Sequence, residues 1–403
     1  MAATANVEVA VIGGGAAGLA AAISARRADK PVIICERMPR LGKKVLASGN
    51  GRCNLLNESL SEEFYNPAAR PLVKSVFSRF GKAAILDFFN GLGLRTYSEA
   101  GRIFPVSNQS SSVLRVLEIE LERLSIMTEF NFHAFDISDN GKGFLIADKS
   151  GRKISCRTVI IAGGGMTYPA LGSDGSCYKI AERFGHTIVL PVPTAVALTA
   201  KDPLCHILQG QKIFAHAKGL VEGRVYVKAG GEVLFTKYGL SGTAILDVSR
   251  EISIALNRLR TGRVSIILDM VPFMAGEALK TELGRRIKDG ISSHDLIAGI
   301  LPNKFGAALV KLLGMKDASS IAKNLKAREF IITGTRGWNE ADFTAGGIDT
   351  AEVTAPGLES KLKKGLYFAG EILDVDGCRG GYNLAWAWAS GYMAGAAAAG
   401  NGL

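Results

Sequence analysis

With 403 residues and 47% hydrophobic content, the chain is long enough for two or three folded domains. Its six cysteines are scattered without a C-x-x-C pair or zinc-ligand spacing, which argues against a disulfide framework, a structural zinc site and a dithiol-relay reductase, and we assign no metal. The N-terminus lacks a basic segment followed by an apolar one, and its apolar run is too short to span a membrane. We therefore expect a cytoplasmic protein without a signal peptide.

The net charge of +11 is concentrated in one region. Residues 201–330 contain 20 Lys and Arg against 12 Asp and Glu, so that +8 of the excess lies there. This excess indicates either an anionic partner, including nucleic acid, or an ordinary basic surface. The absence of an arginine-rich run, interleaved aromatics and a nucleic-acid motif favours the basic surface.

The chain begins with a glycine-rich turn between a strand and a helix. An apolar run predicts a buried parallel strand over 7–12, and the glycines that follow have the G-x-G-x-x-G spacing of dinucleotide-binding proteins: Gly13, Gly15 and Gly18. The next helix is predicted over roughly Ala16–Ala28, and Ala16 and Ala17 in its first turn are predicted cofactor contacts. Its free N–H groups and dipole favour a pyrophosphate at this end.

A second predicted strand, Pro31–Cys35, ends at Glu36, about 20 residues beyond the glycines. A carboxylate there binds both hydroxyls of an adenosine ribose and repels a 2′-phosphate, which suits FAD or NAD. The alternative is a glycine-rich turn followed by a solvated glutamate. The strand, turn, helix and second strand together favour the dinucleotide site.

Residues 37–54 are polar, basic and dotted with glycine, although they follow a nucleotide motif. Such a segment is able to wrap a dinucleotide and present backbone N–H groups to an isoalloxazine ring, whereas the alternative is a surface loop. The predicted contacts are Arg37, Lys43, Lys44, Ser48, Gly49, Asn50, Gly51, Arg52, Cys53 and Asn54.

The middle of the first domain alternates between helix and strand. Residues 66–100 read as helical, and Ser110–Ser112 are predicted to cap a helix over Val113–Leu124. Strands are predicted at Met127–Phe132, Phe135–Ser138, Phe144–Ala147, Lys153–Cys156 and Thr158–Ala162, with a hairpin turn at Asn140-Gly141. Further cofactor contacts are predicted at the last of these strands and after it: Ala162, Gly163, Gly164 and Tyr168.

Beyond about residue 194 the sequence pattern changes and predicts a strand-rich domain inserted into the first one. Short strands are predicted at Ala195–Thr199, Val225–Val227, Val233–Phe235 and Val264–Leu268, with a helix over Ala244–Arg260 and a helical region from Ala275 to Arg328. The chain then returns to the first domain. A short strand over 365–369 ends in Gly-Glu, and a Gly-Gly turn precedes a small-residue helix over Ala385–Ala399 whose N-terminus would face the pyrimidine edge of flavin. The predicted contacts here are Gly370, Glu371, Gly381, Tyr382, Asn383 and Leu384.

Several motifs together resemble one family of flavoproteins. They are Gly42-Lys43-Lys44 with Ser48–Asn54, Gly101–Pro105, Gly163-Gly164 with Tyr168-Pro169, Tyr238–Gly242, Thr344–Ile348, and Phe368–Glu371 through Asn383. The chain resembles, over its full length, the bacterial YhiN/BaiN-like, aminoacetone oxidase-like family within the two-dinucleotide-binding-domain flavoproteins.

The resemblance implies an α/β fold with non-covalent FAD. It implies a Rossmann-like, doubly wound FAD-binding domain, split in sequence over 1–193 and 336–403. An inserted β-barrel-like domain would cover 194–274 and 329–335 and carry a helical subdomain over 275–328. It also implies that Glu36 binds the adenosine ribose, Gly13–Gly18 the pyrophosphate, and that substrate enters a crevice between the FAD domain and the insert.

Three functions follow for comparison. The first is an FAD-dependent oxidoreductase that acts on a small organic molecule by hydride transfer to or from flavin N5. Its redox partner would be NAD(P)H or dioxygen, and NAD(P)H would bind transiently because only one dinucleotide fingerprint is present. The second is a flavoprotein that binds or modifies RNA, and the third is a non-catalytic flavin sensor. We favour the first function. We assign no acid–base residue, and the candidates to line the flavin are Cys53, Arg52, Tyr168 and Asn383.

Overall fold

The computed structural model describes residues 5–313 and 317–400. It divides the chain into two compact units, the first comprising Met1–Pro191 and Phe343–Leu403 and the second Val192–Asp342. Parts of the predicted domains lie outside the described residues, namely 1–4, 314–316 and 401–403.

The chain up to residue 194 alternates between strands and helices. In order these are β1 (Ala5–Ile12), α1 (Ala16–Arg27), β2 (Val32–Cys35), α2 (Lys43–Ala47), β3 (Leu56–Asn57), α3 (Arg70–Arg79), α4 (Lys82–Gly91), β4 (Thr96–Glu99), β5 (Arg102–Pro105), α5 (Ser110–Arg123), β6 (Met127–Glu129), β7 (Ala134–Asp139), β8 (Phe144–Asp148), β9 (Lys153–Ile161), α6 (Ser176–Arg183) and β10 (Ile188–Thr194).

The second unit continues with strands interrupted by helices, and three further elements complete the first unit. The second unit has β11 (Leu198–Ala200), α7 (Pro203–Ile207), β12 (Lys212–Val221), β13 (Arg224–Thr236), β14 (Gly239–Ser241), α8 (Thr243–Ser253), β15 (Val264–Asp269), α9 (Gly276–Lys288), α10 (Lys304–Leu313), α11 (Ala318–Lys326) and β16 (Arg328–Thr335). The final elements are β17 (Phe343–Ile348), β18 (Leu366–Phe368) and α12 (Tyr382–Ala398).

The first unit is built around a sheet in the order β6-β2-β1-β9-β8-β7, and β18 also pairs with β9. Strands β6, β2, β1, β9 and β18 are parallel, with Val11 beside Ile34 on one side and Ile160 on the other. β2, β18 and the last residues of β1 and β9 are apolar and buried, as expected at the centre of a parallel sheet covered on both faces, whereas the edge strand β6 is largely exposed. Their carboxyl ends meet at one edge, where an open α/β sheet places its ligand.

Helices α1 and α12 pack closely because glycines remove side chains from their contact. A Cβ atom on Gly391 would lie 2.2 Å from the Ala17 carbonyl oxygen, and one on Gly395 would lie 2.2 Å from that of Ala21. Trp386 and Trp388 are buried beside them, and the Trp386 indole N–H also donates to the Gly370 carbonyl at 3.1 Å. The last helix is thereby anchored to the strand edge that carries the ligand site.

The second unit contains a closed antiparallel barrel in the order β11-β14-β13-β12-β15-β16, with β16 pairing back onto β11. Alternate residues of β12 point inward, where they join a core containing Phe235, Phe305 and Phe330. Together with the parallel sheet of the first unit, this barrel confirms the predicted fold class of a Rossmann-like domain with a β-barrel insert.

Several predicted elements have different bounds. Residues 66–100 contain two helices separated at Gly81, and 96–99 form a strand, because Gly93 ends the helical run with a positive φ of 86°. The predicted strands at 153–156 and 158–162 are one strand, as are those at 225–227 and 233–235. The predicted serine cap of α5 is wrong: Gln109 precedes the helix without a side-chain cap, and the Ser110 hydroxyl donates instead to the Leu46 carbonyl at 2.7 Å.

Other differences concern the insert and the last helix. Strand β12 was not predicted, since its inward residues include the small Ala215 and Ala217, which give little apolar signal. Helix α8 ends at Ser253 and passes into a π-helical turn over Ile254–Arg258. Helix α12 begins at Tyr382, three residues before its predicted start. The Asn140-Gly141 turn is confirmed by a hydrogen bond from Asn140 N–H to the Gly143 carbonyl.

Candidate functional site

The glycine turn after β1 leaves room at one position and is crowded at the others. A Cβ atom on Gly13, whose φ is 100°, would lie 2.6 Å from the Ala162 carbonyl oxygen, and one on Gly18 would lie 1.8 Å from that of Gly13. At Gly15 no atom lies within 4 Å of a Cβ atom. Gly15 also precedes α1 without any side-chain cap, so the first N–H groups of the helix face this open space.

Glu36 lies beside this turn, at the end of β2. The residue is only 7% exposed. Its carboxylate accepts hydrogen bonds from the Gly14 N–H at 2.6 Å and the Met38 N–H at 2.7 Å, which fix its orientation. Burial raises the pKa of Glu36, and the two backbone hydrogen bonds oppose that shift. A buried carboxylate held in this way is positioned to accept hydrogen bonds from a ligand.

The glycines that follow β9 lie across a groove from the glycine turn that follows β1. A Cβ atom on Gly163 would lie 2.3 Å from the Cys177 Sγ atom, and one on Gly164 would lie 2.8 Å from the Ser173 Oγ atom. A groove that opens to solvent runs between these glycines and the turn after β1. It brings together nine of the predicted site residues: Gly13, Gly15, Glu36, Arg37, Lys43, Lys44, Ala162, Gly163 and Gly164.

The loop over 48–54 adopts an unusual run of left-handed backbone. Gly49, Asn50, Gly51 and Cys53 have φ values of 57°, 55°, 83° and 58°. The Ser48 hydroxyl donates to the Val45 carbonyl at 2.6 Å. Burial raises the pKa of Cys53 to about 12, so its side chain is a thiol at neutral pH and not a reactive thiolate.

Arg52 of this loop is engaged with the small sheet formed by β3, β5 and β4. Its guanidinium donates to the Tyr97 hydroxyl at 2.6 Å, to the Asn108 side-chain oxygen at 3.0 Å and to the Glu99 carboxylate, and it stacks on Phe104 at 4.1 Å. Through these contacts the Arg52 guanidinium anchors the 48–54 loop to the small sheet.

The loop meets the N-terminal end of α12. Gly381 precedes α12 with a φ of 103°, and a Cβ atom there would lie 2.6 Å from the Leu56 backbone and 2.9 Å from the Asn54 Oδ1 atom. Asn383 bridges both backbone groups of Gly377, accepting from its N–H at 2.9 Å and donating to its carbonyl at 2.8 Å. Tyr382 is buried and Leu384 is half-buried. The sheet edge therefore joins segments from both ends of the sequence.

Lys44 and Glu371 make a second connection between these segments. The Lys44 Nζ atom donates to the Glu371 carboxylate at 2.6 Å and to the Thr167 hydroxyl at 2.9 Å. The carboxylate also accepts from the Thr344 N–H at 2.8 Å. Glu371 thus ties α2, the loop after β9 and β17 together, and the pair neutralises Lys44, which leaves less positive charge at the groove than the sequence predicted.

Tyr168 lies outside the residues that line the groove and has a left-handed φ of 55°. Ser48–Asn54, Gly370, Glu371 and 381–384 also lie outside the groove lining, although the contacts above connect them to its edge. Among the described residues, no group of three or more His, Cys, Asp or Glu is arranged to hold a metal ion. None of the described helices is long and apolar enough to cross a membrane.

The HI0933-like Rossmann-domain family model matches residues 7–397. The chain belongs to this family. Membership confirms the resemblance carried by the sequence motifs and makes the chain an FAD-binding flavoprotein of the oxidoreductase class.

Among relatives of this HI0933-like protein, a 3-dehydro-bile acid Δ(4,6)-reductase from Clostridium scindens is 37% identical, covering 97% of this chain and 99% of the relative. A ribosomal RNA dihydrouridine synthase from Escherichia coli is 29% identical, covering 95% of each chain. A solved 3-ketosteroid Δ1-dehydrogenase from Sterolibacterium denitrificans shares the fold, with a TM-score of 0.52 and 13% identity over 99% of this chain and 100% of that chain.

The residues of this HI0933-like protein fit FAD at two separate places. Near Glu36, the Ser173 Oγ atom is buried without a hydrogen-bond partner in the described part of the chain, and Gly15 leaves open space. At the other end, the buried Asn54 Oδ1 atom similarly lacks a partner in the described chain, beside the uncapped start of α12. Unpaired buried polar atoms are expected where a bound group supplies the missing hydrogen bond.

Sequence reasoning overlooked three polar residues at this sheet edge: Thr167, Ser173 and Thr344. Ser173 follows Gly172 in a Gly-Ser-Asp-Gly turn, a pattern that indicates only a loop. Thr344 belongs to a motif that was recognised for its glycines, but its backbone N–H binds Glu371 and its hydroxyl accepts from Met166 N–H at 2.9 Å. Neither role has a local sequence signature.

Proposed function

We propose that this protein is an FAD-dependent reductase that adds two hydrogens to a carbon–carbon double bond conjugated to a carbonyl group in a small organic molecule. The observation that carries the proposal is the full-length, 37% identical relative named as a 3-dehydro-bile acid Δ(4,6)-reductase. A double bond at position 4 beside a 3-oxo group is conjugated with that carbonyl. The second relative is named for dihydrouridine, and uracil has a double bond beside a carbonyl as well.

The geometry of the described residues supports a cofactor site of this kind. We assign the adenosine ribose to Glu36 and the diphosphate to the Gly13–Gly18 turn and the first N–H groups of α1, which favour negative charge. We assign the isoalloxazine ring to the 48–54 loop and the start of α12. Bound FAD supplies the hydride through N5 of its reduced form, while a proton from a general acid completes the addition.

The start of α12 has a further electrostatic role in this proposal. Its first N–H groups lack a side-chain cap, and no acidic residue occupies its first turn. A helix N-terminus of this kind stabilises negative charge nearby. Placed at the pyrimidine edge of the ring, it would favour the anionic reduced form of the cofactor.

The electrons are proposed to come from NADH or NADPH, which docks transiently because the chain has a single dinucleotide fingerprint. The nicotinamide would supply two electrons as a hydride, by way of the bound FAD, to the β-carbon of the substrate. A proton from a general acid would go to the α-carbon, so two electrons and two hydrogens are accounted for. Dioxygen is the alternative partner for the reduced cofactor.

An anaerobic titration of the FAD-loaded protein tests the proposal. NADH or NADPH is expected to bleach the flavin absorbance near 450 nm, and a 3-oxo-4-ene or 3-oxo-4,6-diene steroid acid is expected to restore it. If the saturated 3-oxo analogue restored the flavin absorbance to the same extent, the result would contradict reduction of a double bond. Absence of flavin absorbance even after FAD is added would overturn the assignment of the cofactor.

The second candidate, modification of RNA, is favoured by one surface of the barrel. We call the outward residues Phe214, His216, Lys218, Tyr226 and Lys228 the β12–β13 face. Phe214 and Tyr226 are each 61% exposed, and Lys218 lies directly opposite Lys228. Like charges in this position destabilise a strand pair, and neither lysine has an ion-pair partner in the described chain. Strand pairing therefore creates the interleaved aromatic and basic residues that the linear sequence did not show.

Single-stranded RNA binds surfaces of this kind through stacking on aromatic rings and phosphate contacts with lysines. Anisotropy of a labelled oligouridine is expected to show affinity that falls steeply between 50 and 200 mM salt. The double variant Lys218→Glu/Lys228→Glu should reduce both the affinity and its salt dependence. The control Lys142→Glu/Lys149→Glu makes the same change of charge in exposed turns of the first unit. A flat salt response, or equal losses in both double variants, would contradict this candidate.

A further inference from the structure

The turn between residues 172 and 176 contains a buried polar atom that the protein itself leaves unpaired. Ser173 is 3% exposed, and within residues 5–313 and 317–400 its Oγ atom has no hydrogen-bond partner. Buried hydroxyl groups in folded proteins are nearly always hydrogen-bonded, because an unpaired one loses its contacts with water without compensation. Such an atom inside a ligand groove indicates a missing ligand contact.

The Ser173 hydroxyl lies against the glycine wall of the groove. A Cβ atom on Gly164 would lie 2.8 Å from Ser173 Oγ, and Gly164 has a left-handed φ of 76°. Both residues line the same groove as Gly13 and Glu36. The hydroxyl therefore faces the backbone that approaches the cofactor, on the wall opposite the glycine turn of β1.

The position of Ser173 does not depend on its own side chain. Asp174 pairs with Arg37 at 2.5 Å and accepts from the Ser176 N–H at 3.1 Å. On the other flank, the Gly175 N–H donates to the Gly165 carbonyl at 2.9 Å. Gly172 packs on Met38, where a Cβ atom would come within 3.0 Å of the Met38 side chain. Contacts from the segments that follow β2 and β9 thus hold the turn in place around an unpaired hydroxyl.

We infer that Ser173 is a cofactor-binding residue whose hydroxyl donates a hydrogen bond to the adenosine diphosphate half of FAD. The same groove contains Glu36 and the open Gly15, which suit the ribose and diphosphate. A hydroxyl donor on the opposite wall would hold this half of the cofactor from its second side. The inference rests on FAD as the cofactor and is independent of the proposed substrate.

The Ser173→Ala variant tests this role because it removes only the unpaired hydroxyl. Since no internal hydrogen bond is lost, the apoprotein should unfold at the same temperature as the wild type or slightly above it. The dissociation constant for FAD, measured by flavin fluorescence, is expected to rise by about 5- to 20-fold. ADP used as a competitor should weaken by a similar factor, because it carries the half of FAD in question.

Ser249→Ala is the matched control. Ser249 is a buried serine of the second unit whose hydroxyl does have partners, accepting from the Val196 N–H at 3.0 Å and donating to the Leu246 carbonyl at 2.8 Å. Its removal should lower the unfolding temperature and leave FAD affinity unchanged, the reverse of the pattern for Ser173→Ala.

Three outcomes would overturn the inference. Unchanged affinity for both FAD and ADP in Ser173→Ala would show that the hydroxyl makes no contact with the cofactor. Weakened FAD binding with unchanged ADP binding would place the effect outside the adenosine diphosphate half. A marked loss of apoprotein stability would show that the hydroxyl has an internal structural partner.

Discussion

The two ends of the candidate cofactor site are built in different ways. At the end around Glu36, one side of the groove comes from β1, the turn after it and the end of β2, all within one continuous stretch of sequence. The other side comes from the segment after β9, which includes Gly164 and Ser173. The end around the 48–54 loop is completed by Glu371 and Gly381, and its Lys44–Glu371 pair joins residues 327 positions apart. The glycine turn depends on close contacts at Gly13 and Gly18 within one short stretch of sequence, whereas the other end depends on contacts between distant segments.

The largest expected effect is at the glycine turn. Gly18→Ala places a Cβ atom 1.8 Å from the Gly13 carbonyl oxygen, so we expect about 3 kcal/mol lower stability and loss of FAD retention. Gly15→Ala meets no atom within 4 Å and should leave apoprotein stability unchanged while weakening FAD binding at least about tenfold. Urea unfolding and FAD titration measure the two effects, and a destabilised Gly15→Ala apoprotein would contradict the assignment of that space to a ligand.

Glu36→Ala is expected to have the next largest effect. It removes the acceptor of the Gly14 and Met38 N–H groups together with the proposed ribose ligand. FAD affinity should fall about 100-fold, as expected when charge-assisted hydrogen bonds are lost. Glu182→Ala, an exposed glutamate on α6, serves as the control. Unchanged FAD retention by Glu36→Ala would show that this carboxylate is not the ribose ligand.

The Lys44–Glu371 pair sharpens the comparison at the assembled end. A double-mutant cycle with Lys44→Met and Glu371→Gln should give a coupling energy of about 1–2 kcal/mol in urea unfolding, because both side chains are partly buried. If the pair positions the flavin end, the single variants should also shift the visible spectrum of bound FAD. Additive effects on stability with an unshifted spectrum would mean that the two segments are held by other contacts.

The smallest expected effect concerns Asp174 and its dependence on pH. Burial alone would raise the pKa of Asp174, but the ion pair with Arg37 and the hydrogen bonding with Ser176 outweigh it and lower that pKa to about 2. A depressed pKa gives stability that is present above the unfolded value of about 3.9 and lost as the pH falls towards 2. Asp174→Asn should therefore be about 1 kcal/mol less stable than wild type at pH 7, after allowing for solvent screening. A difference that stays constant between pH 4 and pH 2 would contradict this linkage.

The same contrast explains what could be predicted from the sequence. The strands β1 and β2, the glycine turn and the position of Glu36 follow from local apolar runs and glycine spacing. The partners of Arg52 and Glu371 could not be predicted, because Tyr97, Glu99 and Thr344 lie on other strands and the pairing is set by the fold. Ser173 escaped notice for a related reason, since the lack of a hydrogen-bond partner is a property of packing and not of sequence.

The close contact between α1 and α12 has a consequence for the order of events during synthesis. Gly391 and Gly395 seat the last helix on the first, and the Gly381 turn reaches the 48–54 loop only when that helix is in place. A ribosome that has made the first two hundred residues has already produced Glu36 and the glycine turn, but none of residues 370–384. The residues proposed for the adenine half of FAD are therefore synthesised long before those proposed for the flavin ring, whose surroundings are complete only after translation has passed α12.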